Sequence, residues 1–348
     1  DLGSIKGWGF QGNVAMSWAF RFDIDNPESI IRNHLLCNQL GLDGDNSAVV
    51  LSWAFECYEH GIITKRDTDG LALTWGNHEA VTELLMKLAY REGIGNLLAE
   101  GVKAAAEKTG KDSQIFAVYQ PKGQDSLDGY RVAKSWSFGI ATAPNSGRHL
   151  RGAWGQGLSF PKTLEEIHRE KRILGVEVNP FKYENQEKIC FFQEKYKAII
   201  DSLGLCMPTW PVEWFAELFT TATGIKRSSK ELMRIGRRIH NIEKAFNTLH
   251  KGFTRKHDYP PRRYLEEPVK SGPNKGMRCD RNEWDELLDK YYALHGWDKE
   301  TSWQTGECLK ELGLPEVAEK LRQIGRLKQE KICSKHASVR VREKSRVL

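Results

Sequence analysis

The sequence predicts a mainly α-helical protein, and three observations carry the prediction. Apolar residues recur at three- and four-residue spacing through most of the chain. Cap and stop residues bracket those stretches at helix-like intervals. No low-complexity linker and no tandem repeat interrupts the pattern, apart from two related hexapeptides.

The elements follow in order. The first helix starts after Asn26, with Pro27 in its opening turn, and carries Ile30, Ile31, His34, Leu35 and Gln39. Val49, Val50, Trp53, Ala54 and Cys57 mark a second, with Asp45, Asn46 and Ser47 as cap candidates and Gly61 as its stop. A third runs from about Asn77 to Arg91, with Val81, Leu84, Leu85, Leu88 and Ala89 on one face. Gly93 and Gly95 separate it from a fourth, Asn96 to Lys108. From Ile115 to Trp154, Gly, Ser and aromatic residues without periodicity predict loops and short strands that line a site. Helices resume near Thr163, then over Asn185 to Leu203, Val212 to Thr223 and Ser228 to Leu249. The last is amphipathic, an Arg-rich face (Arg234, Arg237, Arg238) lying opposite Ile235, Ile239, Ile242 and Phe246. After the break at Pro260-Pro261, Glu283 to Tyr292 and Pro315 to Ile324 read as short terminal helices.

The bulk properties narrow the function classes. A chain of 348 residues is long enough for one large or several intimate domains. Net charge is +6, from 52 basic and 46 acidic residues largely interspersed, and only Lys335 to Leu348 is a basic run. That run reads as a solvated tail, and no nucleic-acid arm is expected. No apolar stretch reaches the ~18 residues of a membrane span. Seven cysteines, at 37, 57, 190, 206, 279, 308 and 333, show no metal-type spacing. An odd, unpatterned set predicts buried thiols in a reducing, cytoplasmic compartment. The chain opens at Asp1 without Met or an apolar leader, which predicts a start inside a longer polypeptide or after processing.

The hexapeptides are Asn38-Gln-Leu-Gly-Leu-Asp43 and Asp201-Ser-Leu-Gly-Leu-Cys206, each closing a helical stretch. Gly41 and Gly204 supply a left-handed C-cap, while the leucines, Leu42 and Leu205 among them, anchor the turn. The backbone can then approach a ligand closely, with Asp43 or Cys206 aimed outward. A carboxylate there is a two-site acceptor for ring N–H and amino groups such as a pterin's. A thiolate there is a soft metal ligand. On these grounds alone, plain helix caps and a pair of ligand clasps both stand.

With these residues in hand, the chain resembles the aldehyde ferredoxin oxidoreductase family of tungsten bis-pterin enzymes, over the family's C-terminal two domains. That family reads Asp-x-x-Gly-Leu-Asp in one domain and Asp-x-x-Gly-Leu-Cys in the other. Asp201 to Cys206 matches the second form, and Asn38 replaces the usual Asp of the first. Glu56 to Thr64, Leu73 to Ala80, Arg91 to Val102, Arg238 to Asn247 and Gly252 to Arg255 are similar to family segments, in order and spacing.

The resemblance implies two helical domains, over residues 1–160 and 161–348, enclosing a bis-pterin metal site at their interface. It implies tungsten or molybdenum, an accompanying magnesium, and a [4Fe–4S] cluster. Cys206 would be one cluster ligand and the other three would lie outside this chain. Asn38, Gly41, Leu42 and Asp43 would hold one pterin, and Asp201, Gly204, Leu205 and Cys206 the other. His149 would be the active-site histidine, a proton donor or substrate-orienting group. The implied electron partner is ferredoxin or an iron–sulfur subunit, in a homodimer or hetero-oligomer.

The sequence departs from the family at the substrate end. Before His149 it reads Ala141-Thr-Ala-Pro-Asn-Ser-Gly-Arg-His149, with Asn145-Ser146 in place of Arg-Gly. Between Gly9 and Arg21 there is no acid to stand for the family's glutamate near the metal. After Lys122-Gly123 the usual Asp-Pro-Arg gives way to Gly129-Tyr-Arg131. Trp136, Phe138, Trp154 and Phe160 would suit an aromatic substrate, and Lys122, Arg148 and Arg151 an acidic or CoA-type one. Three expectations result: oxidation of an aldehyde to a carboxylic acid, reduction of an aryl-CoA thioester as in class II benzoyl-CoA reductases, or a non-catalytic or truncated relative.

Overall fold

The computed structural model describes residues 12–123, 131–144, 149–152, 165, 168, 171–172, 174–177, 179–205 and 210–328, apart from the side chains of Asn13 and Val14. Cys206, residues 145–148, Gly129, Tyr130, Trp154, Phe160 and the basic tail lie outside the described residues, as does most of the helix expected near Thr163.

Among the described residues the protein is helical, and its β pairing is confined to isolated bridges, such as Trp297 with Gln304 and Thr305 with Lys328. The first group comprises α1 (Gly12–Trp18), α2 (Pro27–Leu40), α3 (Gly44–Glu59), α4 (His78–Tyr90), α5 (Gly95–Leu98) and α6 (Val102–Thr109). Helix α2 begins where Asn26 accepts from Ser29 N and proline occupies the first turn. Helix α3 starts earlier than its expected caps, because Asp43 itself caps it through Asn46 N. The stretch expected as one helix, Asn96 to Lys108, is two: Gly101, at φ 84°, breaks it between α5 and α6. Val49, Val50, Leu51, Trp53, Ala54, Phe55 and Cys57 of α3 are all buried. They form the axis of a core that runs from Trp18 to Ala117.

A second body follows. It contains α7 (Lys134–Thr142), α8 (Gln186–Ser202), α9 (Val212–Thr223), α10 (Ser229–Lys251), α11 (Arg262–Glu266), α12 (Arg281–His295), α13 (Gly306–Glu311) and α14 (Pro315–Gln323). Helix α7 lies in the segment expected to be loops and strands; its nine residues, Gly and Ser among them, are held by burial of all but one rather than by propensity. It packs on α8, which also meets α10 and α12. Trp284, Leu287, Leu288, Tyr291 and Tyr292 of α12 fill the larger core of this body. A smaller cluster, with Tyr196, Ile199, Ile200, Phe215 and Leu232, joins α8, α9 and α10. Arg263 of α11 reaches across to the first body, donating to both oxygens of Glu56 at 2.8 and 2.7 Å.

Helix α10 reverses the usual reading of an amphipathic helix. Its apolar stripe faces outward, with Ile235, Ile242 and Phe246 exposed by 36, 46 and 61%. Its buried side is mostly polar: His240, Asn241, Lys244 and Thr248 beside Leu232, Gly236 and Ala245. The reason lies in what it packs against. Asn241 accepts from Trp297 Nε1 and Gln304 Nε2, Lys244 donates to Ser302 at 3.0 Å, and His240 meets Glu194. Satisfied polar partners make an inward polar face stable.

Helices α8 and α10 touch at backbone level through Gly236, where a Cβ would fall 2.3 Å from the Lys195 carbonyl oxygen. Gly236→Ala should therefore cost about 2–3 kcal/mol in chemical unfolding, because backbone must move to admit it. Gly306→Ala is the control, since its Cβ would meet nothing nearer than 3.9 Å and stability should hold.

Candidate functional site

The two hexapeptides adopt the same local structure. Gly41 sits at φ 68° and Gly204 at φ 69°, both in the left-handed region. Leu42 N donates to Cys37 O at 2.8 Å, and Leu205 N to Ile200 O at 3.0 Å, the six-residue closure of a Schellman turn. Asn38 and Asp201 are both exposed, as are both glycines, while Leu42 and Leu205 are half-buried. A Cβ on either glycine would meet nothing within 4 Å, so each turn offers open space against bare backbone. Leu42 packs on the first core and Leu205 on the α8–α9–α10 cluster, so the turns hang from different bodies.

Their polar residues differ in how they are held. Asn38 Nδ2 lies 3.3 Å from His34 Nε2, one turn back on α2. Asp43 Oδ1 accepts from Asn46 N at 2.9 Å and is thereby engaged as the α3 cap. Asp201 is flanked by two cations: Lys197 on its own helix pairs with Oδ1, and Arg151 donates to Oδ2 at 2.8 Å.

His149 belongs to a short turn, residues 149–152, that the structure docks on the second Gly-Leu turn. Its imidazole stacks on Trp136 of α7, with ring centroids 4.4 Å apart and planes at 20°. Leu150 joins the same apolar cluster as Leu205. Arg151 bridges Asp201 and Glu243 of α10. Gly152 lies so close to α7 and α8 that a Cβ would fall 2.8 Å from Cys190 Sγ and 3.0 Å from Gly139 O. His149 and Asp201, 52 positions apart in sequence, are thus parts of one assembly. Burial raises the proton affinity of Glu243, against the opposing charge of Arg151.

Behind this site lies a buried polar network. Glu194, two turns before Asp201 on α8, accepts from Tyr291 Oη at 2.7 Å. Its two oxygens also meet His295 Nε2 at 2.7 Å and His240 Nε2 at 3.2 Å. Burial pushes Glu194 up and the two imidazoles down, His240 to about 3. Next to it, Lys122 donates to Ala141 O at 2.7 Å and Ala143 O at 3.0 Å, and forms an ion pair with Asp258 Oδ1 at 2.7 Å. Lys244 lies 3.5 Å from the other oxygen of Asp258. Burial alone would raise Asp258, but the two lysines outweigh it and hold the carboxyl low.

Several expected substrate contacts thereby change role. Lys122 is buried and ties down the end of α7, so it does not attract a ligand. Phe138 is fully buried between Trp284 and Tyr291 as core. Trp136 places its face on His149 rather than leaving it open. Glu194, His240, Glu243 and His295 went unnoticed in the sequence. Its signals were weak but present: Glu194 falls seven residues before Asp201, and His240 and Glu243 lie within Arg238 to Asn247.

Residues 6–314 match the family model described as aldehyde ferredoxin oxidoreductase, domains 2 and 3. The tungsten-containing aldehyde ferredoxin oxidoreductase of Pyrococcus furiosus is 30% identical over 312 residues, covering 86% of this chain and 48% of that protein. Its Pyrococcus horikoshii counterpart is 30% identical over 315 residues, with the same coverage. An aliphatic sulfonate oxidoreductase, WOR-like subunit, of Pyrococcus furiosus is 29% identical over 317 residues, covering 86% and 45%. The chain spans about half the length of these relatives. Among solved structures, a chain of the active-site complex BamBC of benzoyl coenzyme A reductase, in complex with 1,5-dienoyl-CoA, superposes at a TM-score of 0.73. Identity there is 22%, over 93% of this chain and 52% of that one, a likeness of fold.

The network behind the clasp makes stability depend on pH. Both imidazoles have folded pKa values below the unfolded 6.5, so the unfolded chain binds protons first as pH falls. Their contribution is complete above about pH 6.5 and is lost progressively below it, for His240 down to about pH 3, at up to ~1.4 kcal/mol per pH unit for each imidazole. Protonation of Glu194, whose pKa is raised, returns part of that loss. Urea midpoints measured from pH 7.5 to 4.5 should fall, and His295→Gln should flatten the slope. An unchanged slope would show that His295 does not stay neutral in the fold.

Proposed function

The chain belongs to the aldehyde ferredoxin oxidoreductase family, and on that premise we propose that it is the helical half of a tungsten or molybdenum bis-pterin oxidoreductase. The supporting observation is the pair of matching Gly-Leu turns, each with a bare backbone face, open space beside it and an exposed polar residue one turn back. These features fit a flat, polar-edged heterocycle. Asn38 and Asp201 would meet the N–H and amino edge of one pterin each, and Gly41 and Gly204 would let the rings approach the chain. Asp43 serves by capping α3 and so fixing the first turn, with magnesium an accompanying ion.

The reaction in this reading is oxidation of an aldehyde: RCHO and water give RCOOH, two protons and two electrons. The metal–pterin group supplies the two-electron chemistry at the substrate carbon when bound. A [4Fe–4S] cluster, with Cys206 as one ligand, would pass electrons singly to ferredoxin or an iron–sulfur subunit. His149, its ring stacked on Trp136, would take or give a proton at the substrate oxygen. Trp136 holds the ring against rotation and shields one face from water.

The sequence favours a second reading with the same scaffold, reduction of an aryl-CoA thioester by two electrons and two protons. It rests on the missing acid between Gly9 and Arg21 and on the altered residues before His149.

Protein purified without air should contain tungsten or molybdenum, iron and pterin. Absence of all three would overturn both readings. With cofactor present, benzaldehyde oxidation by a viologen dye separates the first reading from the second, which instead predicts turnover of benzoyl-CoA. Cys206→Ala should abolish the cluster's electron-spin signal; an unchanged signal would refute that ligand.

A further inference from the structure

We propose that Arg151 is the positioning residue that registers the His149 turn on the second clasp. The inference rests on reading Asp201 to Cys206 as a cofactor clasp and His149 as the proton-handling group. It adds a role for a residue that the sequence offered only as a general attractor of anions.

The geometry distinguishes Arg151 from its neighbours. Each described residue of the turn is anchored differently: His149 by the Trp136 stack, Leu150 by apolar packing, Gly152 by close approach to Gly139 and Cys190. Arg151 makes a directional bond to the clasp itself. One arm of its guanidinium, Nη1, donates to Asp201 Oδ2 and the other, Nη2, to Glu243 Oε1. The turn, the end of α8 and the middle of α10 are thereby linked through one rigid, planar group.

Charge balance alone does not explain this arrangement. Asp201 already has a cation, Lys197, four residues back on the same helix. A second cation on the opposite oxygen restrains the carboxylate's rotation as well as its charge. The bond to Asp201 fixes which way the clasp carboxylate faces, and the two-residue span from Arg151 to His149 carries that register to the imidazole. A lysine keeps the charge but lacks a fork that could reach both acids. Glu243 is the residue for which Arg151 is a plain charge partner, because it is half-buried and burial raises its proton affinity.

Three variants separate positioning from neutralisation: Arg151→Ala, Arg151→Lys, and Arg151→Ala combined with Glu243→Gln. Benzaldehyde oxidation with a viologen acceptor should show kcat reduced by about tenfold or more in Arg151→Ala, with KM within about twofold, the signature of a misplaced reacting group. Arg151→Lys should recover only part of kcat. The double variant removes the unpaired buried carboxylate, so its melting temperature should return toward wild type while kcat stays low. Recovery of kcat in the double variant, or an undiminished kcat in Arg151→Ala, would overturn the proposal. If Arg151→Ala does not fold, the lysine and double variants decide in the same way.

A second readout needs no cofactor. The nuclear Overhauser contact between the His149 and Trp136 rings, assigned by its loss in His149→Gln, should weaken in the lysine and double variants. An unaltered contact in both would overturn the inference. Wild-type protein lacking tungsten, molybdenum and iron would sink the proposed function, while the ring contact still decides the place of Arg151.

Discussion

A buried carboxylate that no lysine or arginine among the described residues bonds constrains the whole second body. Glu194 is 1% exposed and stands where α8, α10 and α12 meet. A charge in that position is stable only if donors converge on it. Tyr291, His295 and His240 provide them, the first two from α12 and the last from α10. Each can reach Glu194 only from one rotation of its helix, so the network sets the register of three helices together. Moving any of them by one residue would strand a buried polar group, at a cost of several kcal/mol.

That constraint explains the reversed face of α10. Had hydrophobicity alone set its rotation, Ile235, Ile242 and Phe246 would point inward. Instead His240, Asn241 and Lys244 do, because their partners on α8, the Asp258 turn and the Trp297 to Gln304 loop are fixed. With that rotation set, Glu243 emerges beside the end of α8, where Arg151 joins it to Asp201. The clasp and the His149 turn thus inherit their placement from a network that touches neither directly.

Most of the helices were legible because local rules suffice for them. Val212 to Thr223 falls within its expected limits, and the capping box of Ser228 and Glu231 starts α10 where the sequence placed it. Misreadings came where long-range packing overrode local signals. Helix α7 contains Gly139, Ser135 and Ser137, which read as loop, yet nearly all of it is buried against α8. Gly101 was invisible as a break because a single glycine in a periodic run is ambiguous.

The sequence by itself determined the helical fold class, the two Gly-Leu turns and the family, since spacing, caps and short motifs are local properties written in consecutive residues. Only the tertiary structure decided that the Lys122 and Phe138 side chains belong to the core, that α10 turns its polar side inward, and that the turn carrying His149 bonds Asp201 through Arg151. Those outcomes depend on which distant donors and acceptors meet, and hydrogen bonding between residues 50 or 100 positions apart leaves no periodicity to read.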